Sequence, residues 1–156
     1  MKSLMEGWRK FLNEDIKYQG ILKLGLQPIN TSDVLAMQTT LPSDAVPLSE
    51  DDLHVTLIHQ SILKPFRNSK RLPFRKQIKD INFPTPPPVI LEDDIWERQS
   101  LDKKSWAVRL RNQDEMRDYV RKVMELLGSK NTNPEPERVF HVSLANLTGN
   151  PHDSVR

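Results

Sequence analysis

The sequence contains no cysteine, so it has neither a disulfide framework nor a thiolate metal site, and a cytoplasmic setting is the expectation. Long apolar runs are missing too. No stretch approaches the length of a bilayer span, and the first residues lack the apolar centre of a secretory signal. Nor is there a large excess of charge of either sign: 23 basic against 21 acidic residues leave a net +2. That balance permits a phosphate-bearing ligand but does not supply the surface of a duplex-coating protein. What is present suits one soluble domain with a real core: 156 residues, 37% hydrophobic and 28% charged.

Two short stretches stand out from this background, Leu53-His54-Val55-Thr56-Leu57-Ile58 and Phe140-His141-Val142-Ser143-Leu144-Ala145. Each is an apolar run with the signature of a buried strand, and each carries a histidine and a small hydroxyl residue two positions apart. Strand side chains alternate faces, so His54 and Thr56 point one way while Val55 and Leu57 point the other. His141 and Ser143 repeat the pattern against Val142 and Leu144. One strand histidine is ordinarily a structural residue. Two copies of His-Val-hydroxyl-Leu in one chain point to chemistry instead. Two imidazoles titrating near neutrality can divide the labour of general base and general acid. Two neutral hydroxyls can donate to the non-bridging oxygens of a phosphodiester as charge shifts in the transition state. The set requires neither metal nor cofactor.

The paired His-x-Thr and His-x-Ser motifs, each flanked by apolar residues, resemble those of the two-histidine (2H) phosphoesterase superfamily. The runs Leu-His-Val-Thr-Leu-Ile-His-Gln from Leu53 and Phe-His-Val-Ser-Leu-Ala-Asn-Leu-Thr-Gly-Asn-Pro from Phe140 are most similar to the phage anti-CBASS phosphodiesterases. That resemblance implies a metal-independent phosphodiesterase with His54, Thr56, His141 and Ser143 as catalytic residues. Its substrates would be the cyclic di- and trinucleotides by which bacteria signal infection, met in the host cytoplasm. The implied fold is α+β and bilobal, with two pseudo-symmetric lobes of antiparallel sheet plus helix around a central cleft. Two rivals are a 2H enzyme acting on 2′,3′-cyclic phosphate or 2′,5′-linked RNA ends, and a non-catalytic protein that sequesters cyclic nucleotides.

The rest of the chain is read around these strands. Residues 2–15 form an amphipathic pattern, with Leu4, Met5, Trp8, Phe11 and Leu12 on one stripe and charges balanced in sign. We therefore expect an N-terminal helix within 1–17, ahead of one bilobal domain over 18–156. Residues 18–26 suggest a strand ended by Pro28; Asn30, Thr31, Ser32 and Asp33 then offer caps for a short helix through Val34, Leu35, Met37 and Leu41, stopped at Pro42. Between Ser61 and Lys79 lie Lys64, Arg67, Lys70, Arg71, Arg75, Lys76 and Lys79 with Phe66 and Phe74 interleaved. This is either a solvated face or a phosphate-attracting lip. His59 falls on the side opposite His54 if the strand runs straight. The proline run at 84–88 reads as a stiff spacer.

Residues 89–98 and 104–111 predict a hairpin, with Trp106, Val108 and Leu110 on one face of the second strand and Ser105, Ala107, Arg109 and Arg111 on the other. A helix follows, capped at Asn112 and stopped at Gly128. The order strand, helix, loop, motif strand thus occurs twice. The nucleobases of a substrate need aromatic platforms, and Tyr18, Trp96 and Trp106 are the candidates. Trp106 is equally suited to the core. Asn146, Thr148, Asn150 and the segment 151–156 either close on a ligand or form a plain tail.

Overall fold

A computed structural model describes residues 16–67, 78 and 81–155. The helix expected over 2–15 and the side chains of Lys70, Arg71, Phe74, Arg75, Lys76 and Lys79 lie outside the described residues. The chain is α+β, with seven strands and three α-helices among the described residues. It divides into two units: 1–24, 56–88 and 113–138 in the first, 25–55, 89–112 and 139–156 in the second. Among the described residues no helix is long and apolar enough to cross a membrane.

In the first unit, the segment expected as one strand is a hairpin. Strands β1 (Ile16–Gln19) and β2 (Ile21–Gly25) pair antiparallel from Ile16↔Leu24 to Gln19↔Ile21. Gly20 makes the reversal at φ +79°, a conformation glycine adopts without the Cβ penalty other residues meet. Ile16, Leu22 and Leu24 are buried. Helix α2 (Gln60–Arg67) anchors itself through buried Leu63 and Phe66 and leaves Gln60, Lys64 and Arg67 exposed. Helix α3 (Gln113–Leu126) buries Met116, Tyr119, Val120, Val123 and Met124, the stripe its sequence spacing predicts. Gly128, at φ +73°, ends it: its N–H donates to Glu125 O at 2.9 Å, and Ser129 N–H to Met124 O at 3.0 Å. Tyr119 donates its hydroxyl to Pro84 O at 2.7 Å, tying α3 to the proline segment, and burial pushes that hydroxyl's pKa well above its ordinary value.

The second unit holds helix α1 (Pro28–Gln38) and strands β3 (Val46–Pro47), β5 (Leu91–Ser100), β6 (Lys103–Leu110) and β7 (His141–Asn146). Pro28 does not merely end the preceding strand; it opens α1, where its missing N–H costs nothing and its fixed φ favours the helix. Strand β4 (His54–Ile58) contributes His54 and Val55 to this unit and its remaining residues to the first. Strand β7 pairs antiparallel with β4 at Val55↔Val142, with β3 at Pro47↔Ala145 and with β6 from Arg109↔His141 to Ser105↔Asn146. Strand β6 in turn pairs with β5. Gln38 of α1 donates to Leu48 O at 3.1 Å and Leu144 O at 2.9 Å, so the helix is bolted to the backbone of β7. Val34, Leu48, Leu53, Val108, Leu110, Phe140 and Leu144 supply the core.

Candidate active site

Strand β7 alternates as its sequence requires: Val142 and Leu144 are fully buried while His141 and Ser143 are half-buried on the opposite face. In β4, Val55 and Leu57 are buried while His54 and Thr56 are half-buried. Antiparallel register about Val55↔Val142 sets His54 opposite Ser143 on the neighbouring strand. Thr56 follows on the same face of β4, two residues beyond His54. The core side of each strand thus fixes which way the polar side points. A one-residue slip would exchange them.

The two imidazoles are held alike. His54 Nδ1 lies 2.8 Å from Asp52 O, and His141 Nδ1 lies 2.9 Å from Val139 O, in each case the carbonyl two residues earlier. A carbonyl oxygen only accepts, so Nδ1 carries the proton in both neutral rings and Nε2 is the nitrogen that takes up or releases one. His141 Nε2 is 3.4 Å from Arg98 Nη1. A guanidinium only donates, so this contact too places the lone pair of His141 at Nε2.

Arg98 belongs to a cluster built by the β5–β6 hairpin. Trp96 pairs with Ala107 and Arg98 with Ser105, while Arg109 pairs with His141 across β6–β7. Small Ala107 stands between Trp96 and Ser143 in the register, and the indole meets His141 edge-on at 5.6 Å between centroids. The guanidinium carbons of Arg98 and Arg109 sit over the Trp96 ring at 4.5 and 5.5 Å. Two cations and an aromatic ring therefore surround the second motif histidine. An anion entering here would meet fixed positive charge at short range.

No family model, no curated protein and no solved structure matches this chain.

Other expectations fare differently. Trp106 does not offer a platform: it is 2% exposed, a core residue of β6 opposite Ala145. Register explains this, because β6 shifts against β7 between Trp106 and Ala107, and Ser105, Trp106, Ala107 and Val108 are buried in succession. Trp96 is half-buried with guanidinium over its ring, so it is part of the cationic cluster. Tyr18 lies in the first unit, where it lines a cavity of about 290 Å³.

Asn146 is wholly buried and folds the C-terminal segment rather than facing a ligand. Its Oδ1 accepts from Thr148 N–H at 3.0 Å and Gly149 N–H at 2.6 Å, and its Nδ2 donates to Asn150 O at 2.6 Å and Ser154 Oγ at 3.0 Å. The segment so shaped returns to the sheet. Val155 N–H donates to Ser105 Oγ at 2.6 Å, and Arg98 Nη1 donates to Val155 O at 3.0 Å. The tail is thus a strap that steadies Arg98.

Sequence reasoning missed Arg98 and Arg109 because it sought cations in the dense basic run after the first motif. A usable signal was present: Arg98 is two residues beyond Trp96 on one strand, and alternation puts both on one face.

Proposed function

We propose that the protein is a metal-independent phosphodiesterase of the 2H kind, cleaving cyclic di- or trinucleotides in bacterial cytoplasm and so blunting CBASS signalling. The observation that carries the reading is the matched pair of histidines, each with Nδ1 held by the carbonyl two residues earlier, which makes Nε2 the proton-transfer atom. The bilobal fold with a pseudo-symmetric lobe behind each motif belongs to the same proposal.

In this account His141 is the general base. The contact from Arg98 favours its neutral form with the lone pair at Nε2. As Arg98 Nη1 turns to the bound phosphate, the Nε2 lone pair takes the proton from the attacking oxygen, a ribose 2′-hydroxyl or a water, as that oxygen bonds to phosphorus. His54 starts as the imidazolium, protonated on both ring nitrogens, and gives its Nε2 proton to the departing ribose oxygen, which leaves the neutral ring with its proton on Nδ1. Thr56 and Ser143 donate to the non-bridging oxygens, and Arg109 offsets the phosphate charge. The incoming phosphodiester anion also compensates the unfavourable pairing of a newly formed His141 imidazolium with Arg98.

The experiment is incubation of the purified protein, with and without EDTA, with cyclic dinucleotides, cyclic trinucleotides and a 2′,3′-cyclic-phosphate RNA, followed by chromatography. Linear products from the cyclic oligonucleotides at equal rates with and without EDTA are expected. Cleavage of the RNA end alone would move the reading to RNA processing, and tight binding without product would leave sequestration.

A further inference from the structure

The cavity in the first unit brings together groups that the phosphodiesterase reading does not use. It is lined on one side by Tyr18 and Gly20 of the β1–β2 hairpin and on the other by His59, Ser61, Lys64 and Arg67 at and along α2. Lys64 and Arg67 are three residues apart and share a helix face, held there by Leu63 and Phe66 in the core beneath. Among the described residues, both charged side chains in the lining are cations and no carboxylate takes part. A solvated basic face carries no such concavity with an aromatic wall.

His59 differs chemically from the two motif histidines. Its Nδ1 accepts the backbone N–H of Ser61 at 3.3 Å and lies 3.1 Å from Ser61 Oγ. A backbone N–H only donates, so Nδ1 is the bare nitrogen and Nε2 carries the proton. Where the neutral rings of His54 and His141 carry their proton at Nδ1, His59 carries it at Nε2. The pocket therefore assembles an ammonium, a guanidinium and an imidazole N–H beside a phenol ring. Such a donor set suits the oxygens of a phosphate.

We propose that this pocket binds a phosphate monoester on a compact carrier, in the size class of one nucleoside monophosphate. Its volume of about 290 Å³ lies just below the range of small-molecule sites, roughly 300–1,000 Å³. Lys64 and Arg67 hold the phosphate, His59 donates from Nε2, and the Tyr18 ring forms the wall against the carrier. The assignment does not depend on the proposed catalysis.

The test is a titration of the full chain, labelled with ¹⁵N, with adenosine 5′-monophosphate, inorganic phosphate and adenosine, following the amides of Gln60 and Ser61. The monophosphate and inorganic phosphate are expected to shift these amides, and added salt to weaken both. The Lys64→Gln/Arg67→Gln protein should bind the monophosphate at least tenfold more weakly, whereas Arg67→Lys should retain most of the affinity and a His54→Ala/His141→Ala protein all of it. Lys64→Gln alone repeats the test should the double variant not fold. Equal binding by the charge-removed and unaltered proteins, adenosine binding as tightly as its monophosphate, or no shift with either phosphate would overturn the proposal.

Discussion

Replacing Arg98 by glutamine should change how His141 titrates, and the size of the effect follows from the contact. Nη1 stands 3.4 Å from His141 Nε2, and both residues are half-buried. Two unit charges about 4 Å apart in water repel by about 1 kcal/mol, and 1.36 kcal/mol corresponds to one pH unit of protonation. Salt weakens that repulsion and partial burial strengthens it. Removing the guanidinium should therefore let His141 protonate at a higher pH. The direction is fixed by sign, since a neighbouring cation opposes imidazolium.

The assay is NMR titration of the histidine ring protons in the unaltered and Arg98→Gln proteins, with His141 assigned through His141→Gln. It needs no substrate. His152, which is exposed, serves as the internal control. Because the base must be neutral to act, the acid limb of any pH–rate profile should move upward with the titration. A His141 midpoint that stays put, or moves down, would refute the placement of Arg98 as a charge acting on Nε2.

The remaining predictions concern catalysis and the scaffold. His54→Ala and His141→Ala should each lower turnover by about 10²- to 10⁴-fold, measured on whichever cyclic oligonucleotide is cleaved. Asn146→Leu leaves the N–H groups of Thr148 and Gly149 and the carbonyl of Asn150 without their partner. Thr148 and Asn150 are exposed, so water replaces part of this bonding, and denaturant unfolding should show a loss of about 1–3 kcal/mol. Gly149 has φ +81°, and a Cβ there would stand 2.8 Å from Val46 Cγ1. Gly149→Ala should cost about 2 kcal/mol, and Val46→Ala should recover the steric part only. The Tyr119 hydroxyl titrates above its ordinary value, so its share of stability is complete below pH ~10 and is lost as the pH rises beyond that. Tyr119→Phe should abolish that alkaline decline, seen as stability against pH.

Strand alternation made the motif faces legible in the sequence, because a period of two converts spacing directly into direction. His54, Thr56, His141 and Ser143 all leave the buried faces of their strands. Helix α3 was legible for the same kind of reason, an apolar stripe between a polar start and a glycine stop. What was not legible depended on register between distant strands. Nothing in the residues around Trp106 announces the shift between β6 and β7 that buries it, and nothing around Arg98 announces that β7 brings His141 within reach. Gly20 was legible in principle. A single glycine inside an alternating run is a reversal signal, and reading through it merged two strands into one.

The proposed function requires that the two imidazoles act on a phosphodiester. The most direct measurement is single-turnover cleavage of a cyclic oligonucleotide in EDTA by the unaltered, His54→Ala and His141→Ala proteins. The account predicts linear product from the first and a loss of at least a hundredfold in each of the others. Product formed at undiminished rate without either histidine, or none from the unaltered protein on any cyclic oligonucleotide, would contradict it.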